Sequence, residues 1–316
     1  MAGNTHPLIC AADEAGFAVA LDVLTRGGLV AVPTETVYGL AARADSAVAV
    51  AAIYRAKGRP DFNPLIVHVG DLAAAEQLAI FDERAQRLAR AFWPGALTLV
   101  LPLRPQARLA TAVTAGLATV ALRCPAHPAM QDVLARCRFP LAAPSANRSG
   151  AVSPTSAAHV AQSLGARIDL ILDGGSCDTG IESTIVALRA SGGWSLLRPG
   201  PVTEAQITAV LGAPPDVTAS LGGIEAPGQM VSHYAPGKPV RLDADTAHAD
   251  EFHLGFGTVA GHFNLSPNAD LDEAAARLYA ALHAAAAGPQ ARIAVAPVPE
   301  QGIGAAINDR LRRAAA

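Results

Sequence analysis

Two basic side chains flank a glycine at Lys57-Gly58-Arg59. A lysine contributes a compact charge and an arginine a planar set of donors, so together they suit the oxygens of a polyphosphate. Basic residues near the end of a helix also stabilise the helix dipole, by roughly 0.3 to 1 kcal/mol each. Charge and spacing therefore leave two interpretations open, a phosphate site and a helix end.

A polar loop later in the chain offers further groups that could bind a nucleotide. Its polar side chains include Ser145, Asn147, Ser149 and Ser153. Hydroxyls and exposed N–H groups can hold phosphate or ribose oxygens, and a helix predicted to begin at Thr155 favours an anion at its N-terminus. Turn chemistry also explains such residues, and composition alone favours that explanation. The sequence contains neither GxxxxGK[ST] nor GxGxxG, the usual nucleotide-binding loops.

Two hydroxyls and an imidazole accompany predicted strands near the start of the chain. Thr34 and Thr36 lie in the turn after the strand at 29–32, and His68 lies within the strand at 65–69. A lone histidine beside apolar residues is more often a satisfied core group than a functional one. A functional role for His68 is supported only by the polar groups expected near it.

A later strand, 118–123, ends in another basic residue. Alternate residues of a strand share a face, which places Thr119, Ala121 and Arg123 on one side. Small residues leading to an arginine suit the floor of a ligand pocket. A solvated face of an edge strand would explain the same pattern.

Local signals predict the elements that position these groups. Ser46 is a suitable N-cap for a helix running to Ala56, and Gly58 suits the left-handed position after it. With the strands at 29–32 and 65–69, this helix makes a strand–helix–strand unit.

Short strands and helices alternate along the remainder of the first 212 residues. The predicted helices cover 13–27, 71–91, 131–136, 155–164 and 203–211, and the further strands cover 97–101, 118–123, 169–173, 183–188 and 194–197. Many short strands with interspersed helices indicate an α/β fold whose sheet mixes parallel and antiparallel directions.

The length of 316 residues favours two domains. We predict a first domain at 1–212, a linker rich in proline and glycine at 213–238, and a smaller domain at 239–316. Within the small domain the sequence predicts a weak helix in 241–256, a strand at 258–260, a helix at 271–287, a strand at 292–297 and a terminal helix at 305–315.

Composition argues against several classes of protein. The formal net charge is −3 and no run of basic residues precedes Arg310, so a nucleic-acid backbone finds little to bind. Neither a secretory signal nor an apolar run long enough to cross a bilayer is evident. The scattered Cys10, Cys124, Cys137 and Cys177 form no CxxC pair, which predicts buried thiols and no bound metal. We therefore expect a cytoplasmic protein that contacts no membrane.

The stretch 31–69 resembles the opening of the threonylcarbamoyl-AMP synthase family, and further similarity recurs at SANRSG, ESTIV, LRPG, HYAP and INDRLRR. KxR and SxN form that family's nucleotide signature, here Lys57-Gly58-Arg59 and Ser145-Ala146-Asn147. The resemblance is to the long form of the family. It implies a YrdC-like catalytic domain with a twisted mixed sheet, a Rossmann-like α/β accessory domain, and a linker whose Tyr234 folds back over the active site as a lid.

The same resemblance implies an activity and a set of site residues. Family members convert ATP, L-threonine and bicarbonate or CO2 into threonylcarbamoyl-AMP and diphosphate. A downstream tRNA threonylcarbamoyl transferase then uses the product to modify adenosine 37 of tRNA, and Mg²⁺ accompanies the ATP. The threonine and bicarbonate site is expected at Thr34, Thr36, His68, Arg123, Ala143 and Ser183. The ATP site is expected at Lys57, Arg59, Asn63, Thr119, Ser145, Asn147, Ser153, Arg198 and Tyr234. Lys57, Arg59 and Arg123 are the candidate catalytic residues.

Two other functions remain open at the level of sequence. One is an RNA-binding module without catalysis, in which the basic groups grip a backbone. The other is a related carbamoyl transferase that acts on carbamoyl phosphate. Diphosphate release that requires both L-threonine and bicarbonate would distinguish the synthase from either alternative.

Overall fold

The computed structural model describes residues 7–190, 192–216, 225–229 and 233–316. Residues 217–224 and 230–232, which belong to the predicted linker, lie outside the described residues.

A large mixed sheet runs through the first two thirds of the chain, which confirms the predicted fold class. Its strands are β1 (Leu8–Ala11), β2 (Val30–Val32), β3 (Gly39–Arg43), β4 (Ile66–His68), β5 (Leu97–Pro102), β6 (Thr119–Arg123), β7 (Leu141–Ala142), β8 (Leu170–Asp173), β9 (Thr184–Leu188) and β10 (Trp194–Arg198). Their spatial order is β1-β8-β2-β3-β7-β4-β6-β5-β9-β10. Strands β4, β6, β5 and β9 are neighbours, so residues far apart in sequence meet on one face.

Helices pack around this sheet. They are α1 (Glu14–Thr25), α2 (Ala47–Lys57), α3 (Leu72–Glu76), α4 (Glu83–Phe92), α5 (Thr111–Thr114), α6 (Pro128–Arg136), α7 (Ala157–Leu164) and α8 (Glu204–Leu211). Helix α2 begins where predicted, because the Ser46 side chain accepts from the Ala49 N–H, and it ends at Gly58 with φ of 60°.

Three local predictions were wrong. The single helix predicted at 71–91 is two helices, because Asp82 caps the second by accepting from the Ala85 N–H. The cap of α7 is Ser156 and not Thr155. The predicted strand–helix–strand unit overlooked β3, which pairs antiparallel with β2.

A second, smaller sheet follows, with parallel strands in the order β11-β14-β12-β13. Its elements are β11 (Val240–Arg241), β12 (Glu251–Gly255), β13 (Phe263–Asn264), α9 (Leu271–Ala287), β14 (Arg292–Val295) and α10 (Gly304–Ala315). The weak helix predicted in 241–256 and the strand at 258–260 were wrong. β11 and β12 occupy the first region, and Val259 makes only an isolated bridge with Phe256.

The two regions of the chain share a buried apolar interface. Val37, Val152 and Ile181 from the first region pack in one cluster with Leu278 and Leu282 of α9. The loop and the helix come so close at Gly180 that a Cβ there would lie 2.4 Å from the Ala276 Cα. The second region therefore packs directly beside the loops that lead into β9.

No helix in the described parts of the chain is both long and apolar enough to cross a membrane.

Candidate active site

A narrow pocket brings together ten of the predicted site residues. They are Thr34, Thr36, Arg59, His68, Arg123, Ala143, Ser145, Ser183, Arg198 and Tyr234. The pocket encloses about 50 Å³, room for only a few water molecules. Its floor belongs to the sheet face on which Ile66, Ala121 and Ile185 cluster, as the alternation in β4 and β6 predicted.

Arg123 ends β6, and three hydrogen-bond acceptors hold its guanidinium in place. Its Nη1 donates to Thr36 Oγ1 at 2.8 Å, Nη2 donates to Glu35 Oε1 at 2.6 Å, and Nε donates to the Gly95 carbonyl at 3.2 Å. Burial raises the pKa of Glu35, but the charge and hydrogen bonds of Arg123 outweigh it and hold that pKa below its usual value. The carboxylate thus fixes a buried guanidinium that faces the pocket.

The turn after β2 orders its two threonines through its own backbone. Thr34 Oγ1 lies 2.8 Å from Thr36 Oγ1, donates to the Val37 carbonyl at 2.7 Å and accepts from the Thr36 and Val37 N–H groups. Such hydroxyl–backbone bonds are typical of turns. Here they also aim the Thr36 hydroxyl at Arg123.

His68 lies on the pocket face of β4 and is 3% exposed. Burial, and secondarily the nearby charge of Arg123, lower its pKa to about 3. The imidazole is therefore neutral at physiological pH. Its Nδ1 is buried and makes no hydrogen bond within the described residues, so a polar ligand group in the pocket would satisfy it.

This burial predicts an acid-sensitive stability. An unfolded histidine titrates near pH 6.5, so between pH 6.5 and 3 the unfolded chain takes up a proton at His68 that the folded chain refuses. The free energy of unfolding falls as the pH falls through that window. We expect the pH slope of His68→Gln, measured by urea unfolding between pH 6 and 4, to be shallower by up to about 1.4 kcal/mol per pH unit. Equal slopes for the two proteins would contradict this assignment.

The Lys57 side chain is buried against the polar loop that contains Ser145 and Asn147. Its Nζ donates to the Ser145 carbonyl at 2.5 Å and to the Asn147 carbonyl at 2.6 Å. The Asn147 side chain in turn donates to the Ala151 carbonyl at 2.8 Å. Burial, followed by the charge of Arg59, lowers the pKa of Lys57 well below its usual value. Lys57 and Asn147 therefore shape the loop that presents Ser145 to the pocket.

Arg59 enters the pocket from the segment after α2. Its Nη2 donates to the Pro64 carbonyl at 2.9 Å and its Nε to the Asn63 carbonyl at 3.3 Å. Burial lowers the pKa of Arg59 to about 10, which leaves it charged at neutral pH. A fixed cation thus lines the pocket.

Ser183 and Arg198 form one wall of the pocket. The Arg198 Nε donates to the Ser183 carbonyl at 3.0 Å and Nη2 to Ser183 Oγ at 3.2 Å. Ser183 Oγ also lies 2.7 Å from Thr98 Oγ1 of β5. This wall therefore joins β5, the start of β9 and the end of β10.

Described parts of the predicted linker border the pocket. Ala226 packs against Ile66 and Ala121 on the floor strands, and Gly228 and Tyr234 line the pocket itself. The Tyr234 ring is 1% exposed.

Comparison of the sequence with known proteins identifies its family. A family profile described as "Telomere recombination" matches residues 22–200, and one described as "Threonylcarbamoyl-AMP synthase, C-terminal domain" matches residues 202–316. A threonylcarbamoyl-AMP synthase of Bacillus subtilis is 41% identical over 95% of this chain and 92% of its own length. The chain belongs to the threonylcarbamoyl-AMP synthase family.

One solved structure extends the match to the whole architecture. The crystal structure of Pyrococcus abyssi Sua5 complexed with L-threonine has a TM-score of 0.87 and 35% identity, and the match covers 98% of this chain and 97% of that one. A HypF structure in a phosphate- and nucleotide-bound form has a TM-score of 0.52 at 20% identity over 58% of this chain, which shows a shared fold alone.

Five predicted residues do not line the pocket. Lys57 and Asn147 support the loop, and Ser153 donates to Glu182 Oε1 at 2.6 Å. Asn63 is buried beside Arg59. Thr119 lies at the far end of β6 from Arg123, opposite Pro102 of β5.

Sequence reasoning missed two carboxylates. Glu35 sits between two threonines and Glu182 begins the ESTIV motif, yet neither is among the predicted site residues. Only the fold shows that Glu35 faces Arg123 and that Glu182 lines the pocket. A charged residue flanked by predicted ligand-binding residues was the available signal.

Proposed function

We infer that this chain is an L-threonylcarbamoyladenylate synthase, which forms threonylcarbamoyl-AMP and diphosphate from L-threonine, bicarbonate or CO2, and ATP. The observation that carries this inference is the convergence of Arg123, Thr36, His68, Ser183 and Arg59 on one pocket. Family membership and the likeness to a Sua5 complexed with L-threonine support it. The product would supply a tRNA threonylcarbamoyl transferase that modifies adenosine 37.

In this proposal Arg123 binds the carboxylate of L-threonine. A guanidinium offers five N–H donors, so one already oriented by Glu35 and Thr36 can still bind a carboxylate. Neutral His68 and Ser183 would form hydrogen bonds with the amino and carbamate groups. Thr34 acts by fixing Thr36, and Ala143 leaves room beside the amino acid.

ATP would lie toward Arg59, Ser145 and Arg198, with Tyr234 closing over it. Lys57 and Asn147 hold the loop, and Ser153 holds Glu182. Asn63 and Thr119 remain predicted ATP contacts, although neither lines the pocket. Tyr234 lines the pocket, and in this proposal its segment moves aside for ATP to enter.

Mg²⁺ would arrive with the triphosphate. Glu182 lines the pocket, but its oxygens accept from Ser153, Tyr279 and Arg310. Glu35 is paired with Arg123. Because both carboxylates are engaged, the ion would be held by phosphate oxygens and water.

The chemistry requires alignment and the exclusion of water. The threonine amine attacks the carbon of CO2 and loses a proton, which gives a carbamate. A carbamate oxygen then bonds to the α-phosphorus as the bond to the bridging oxygen breaks and diphosphate leaves. Arg59 and Arg198 would neutralise charge on the phosphates, and Arg123 would hold the nucleophile in line. A closed pocket protects both the carbamate and the mixed anhydride from hydrolysis.

An omission assay tests this function. The purified chain with ATP and Mg²⁺ should release diphosphate only when L-threonine and bicarbonate are both present. Carbamoyl phosphate should not replace bicarbonate and threonine. Release without threonine, or dependence on carbamoyl phosphate, would overturn the proposal, and an RNA shift that is indifferent to ATP would favour the binding-module alternative.

The lid gives a further prediction at Gly228. Its φ is 84°, and a Cβ there would lie 2.9 Å from Arg198 Cδ. Gly237 is a matched control, because its φ is 78° and nothing lies within 4 Å of a Cβ built there. Both alanine variants carry similar backbone strain, but Gly228→Ala also crowds a pocket arginine, a cost of about 1 to 3 kcal/mol.

We therefore expect Gly228→Ala to lower kcat/KM for ATP about tenfold more than Gly237→Ala does, as roughly 1.4 kcal/mol corresponds to tenfold. Steady-state kinetics of the two folded variants measure this difference. Equal kinetics would show that closure does not depend on the contact with Arg198.

A further inference from the structure

The last helix of the small domain sends one side chain into the wall of the pocket. Arg310 of α10 is 0% exposed. Its Nε donates to Glu182 Oε2 at 2.9 Å, and its Nη1 donates to the Pro199 carbonyl at 2.9 Å. Glu182 precedes Ser183 and Pro199 follows Arg198 in the chain. One guanidinium thus joins the two segments that carry these pocket residues.

Glu182 is held from both domains. Its Oε1 accepts from Ser153 Oγ at 2.6 Å, and its Oε2 also accepts from the Tyr279 hydroxyl of α9 at 2.8 Å. Burial raises the pKa of Glu182, but the charges of Arg310 and Arg198 and the hydrogen bonds from Ser153 and Arg310 outweigh it and lower the pKa to about 2. A buried carboxylate keeps its charge only while such partners remain.

Arg310 and Tyr279 also contact the ring of Tyr234 in the predicted lid. The Tyr234 ring centre lies 5.4 Å from the guanidinium carbon of Arg310 and 5.6 Å from the ring centre of Tyr279. The distance to Arg310 is within the range of a cation–π contact. The Tyr234 ring therefore rests on groups supplied by the small domain.

We propose that Arg310 and Tyr279 are positioning residues for the synthase reaction, holding Glu182 and, through it, Ser183 and Arg198 in the substrate-binding arrangement. The small domain then contributes two side chains that hold the active site in its working arrangement. This inference rests on the proposed function for its kinetic test. It goes beyond that function by assigning a role to residues that touch no substrate.

The primary test compares Arg310→Met with Arg312→Met. Arg312 lies on the same helix and forms an exposed pair with Glu300, with side chains 58% and 60% exposed. We expect Arg310→Met to lose at least about 30-fold in kcat/KM for L-threonine, chiefly through a higher KM, and Arg312→Met to stay within about twofold of wild type. Arg310→Lys should recover part of the loss, because an ammonium restores the charge but not the fork. A folded Arg310→Met within threefold of wild type would overturn the proposal.

A double-mutant cycle with Glu182→Gln tests the route of the effect. If Arg310 acts through Glu182, the double variant should be at least about tenfold more active than the product of the two single losses predicts. Additive losses would overturn the proposal. Should Arg310→Met fail to fold, Tyr279→Phe replaces it and is expected to raise the KM for L-threonine about three- to tenfold. An unchanged KM in that variant would also overturn the proposal.

Hydrogen exchange separates this inference from the proposed function. Amides of the segment 181–188 should exchange faster in Arg310→Met than in Arg312→Met, without any substrate present. Equal exchange would overturn the positioning role. A wild-type chain that makes no threonylcarbamoyl-AMP would overturn the proposed function. The exchange result would still decide whether Arg310 holds the segment 181–188 in place.

Discussion

Replacing Arg123 by methionine is expected to lower kcat/KM for L-threonine by about 10²- to 10³-fold. Arg123 is buried and bonded to Glu35, Thr36 and the Gly95 carbonyl. Truncating one partner of a buried, hydrogen-bonded charge pair costs about 2 to 5 kcal/mol, and tenfold corresponds to about 1.4 kcal/mol. Diphosphate release at varied threonine concentration measures the effect, and the KM for ATP should change much less.

Loss of folding must be separated from loss of binding in this variant. Glu35 would be left without its cation in Arg123→Met, which destabilises the fold by about 3 to 5 kcal/mol. The double variant Glu35→Gln, Arg123→Met removes that unpaired charge and should recover stability in urea unfolding without recovering activity. Arg26→Met, which breaks an ion pair exposed by 67% and 66%, should retain full activity. Recovery of threonine turnover in the double variant would argue against a direct role for Arg123.

Replacing Arg59 by alanine is expected to lower kcat/KM for ATP by about 10²- to 10³-fold, a magnitude typical of removing one donor that stabilises charge in the transition state. Arg59 lines the pocket and stays charged at neutral pH because its pKa remains near 10. Its hydrogen bonds go to backbone carbonyls, so the variant leaves no carboxylate unpaired. Initial rates of diphosphate release at varied ATP concentration check this expectation.

Arg55, in the last turn of the helix that precedes Arg59, provides a control. Its side chain is exposed, so Arg55→Ala should leave turnover within about twofold of wild type. If Arg59→Ala also turned over ATP at the wild-type rate, the phosphate site would have to lie elsewhere.

The sequence predicted best where local chemistry decides the structure. Ser46 and Gly58 set the two ends of α2 because each satisfies backbone groups within a few residues. The face of β6 that carries Arg123 followed from alternation alone. The family resemblance added the roles of Ser145 and Arg198, which composition could not distinguish from turn residues.

The sequence predicted poorly where distant contacts decide. β12 was mistaken for part of a weak helix because its pairing with β14 lies about forty residues away. The break before α4 depends on Asp82, a capping residue inside an otherwise continuous helical pattern. Arg310 was not predicted as a site residue, since its partner Glu182 is 128 residues distant. Tertiary pairing of this kind leaves no local signal.

The most direct test of the account follows the carbon atom that joins the two substrates. The purified chain is incubated with ATP, Mg²⁺, L-threonine and ¹³C-bicarbonate, and the nucleotide products are analysed by mass spectrometry. We predict threonylcarbamoyl-AMP carrying one ¹³C, formed in equal amount with diphosphate and strongly reduced in Arg123→Met. ATP consumed to AMP or ADP with no labelled adenylate of threonine would contradict the account.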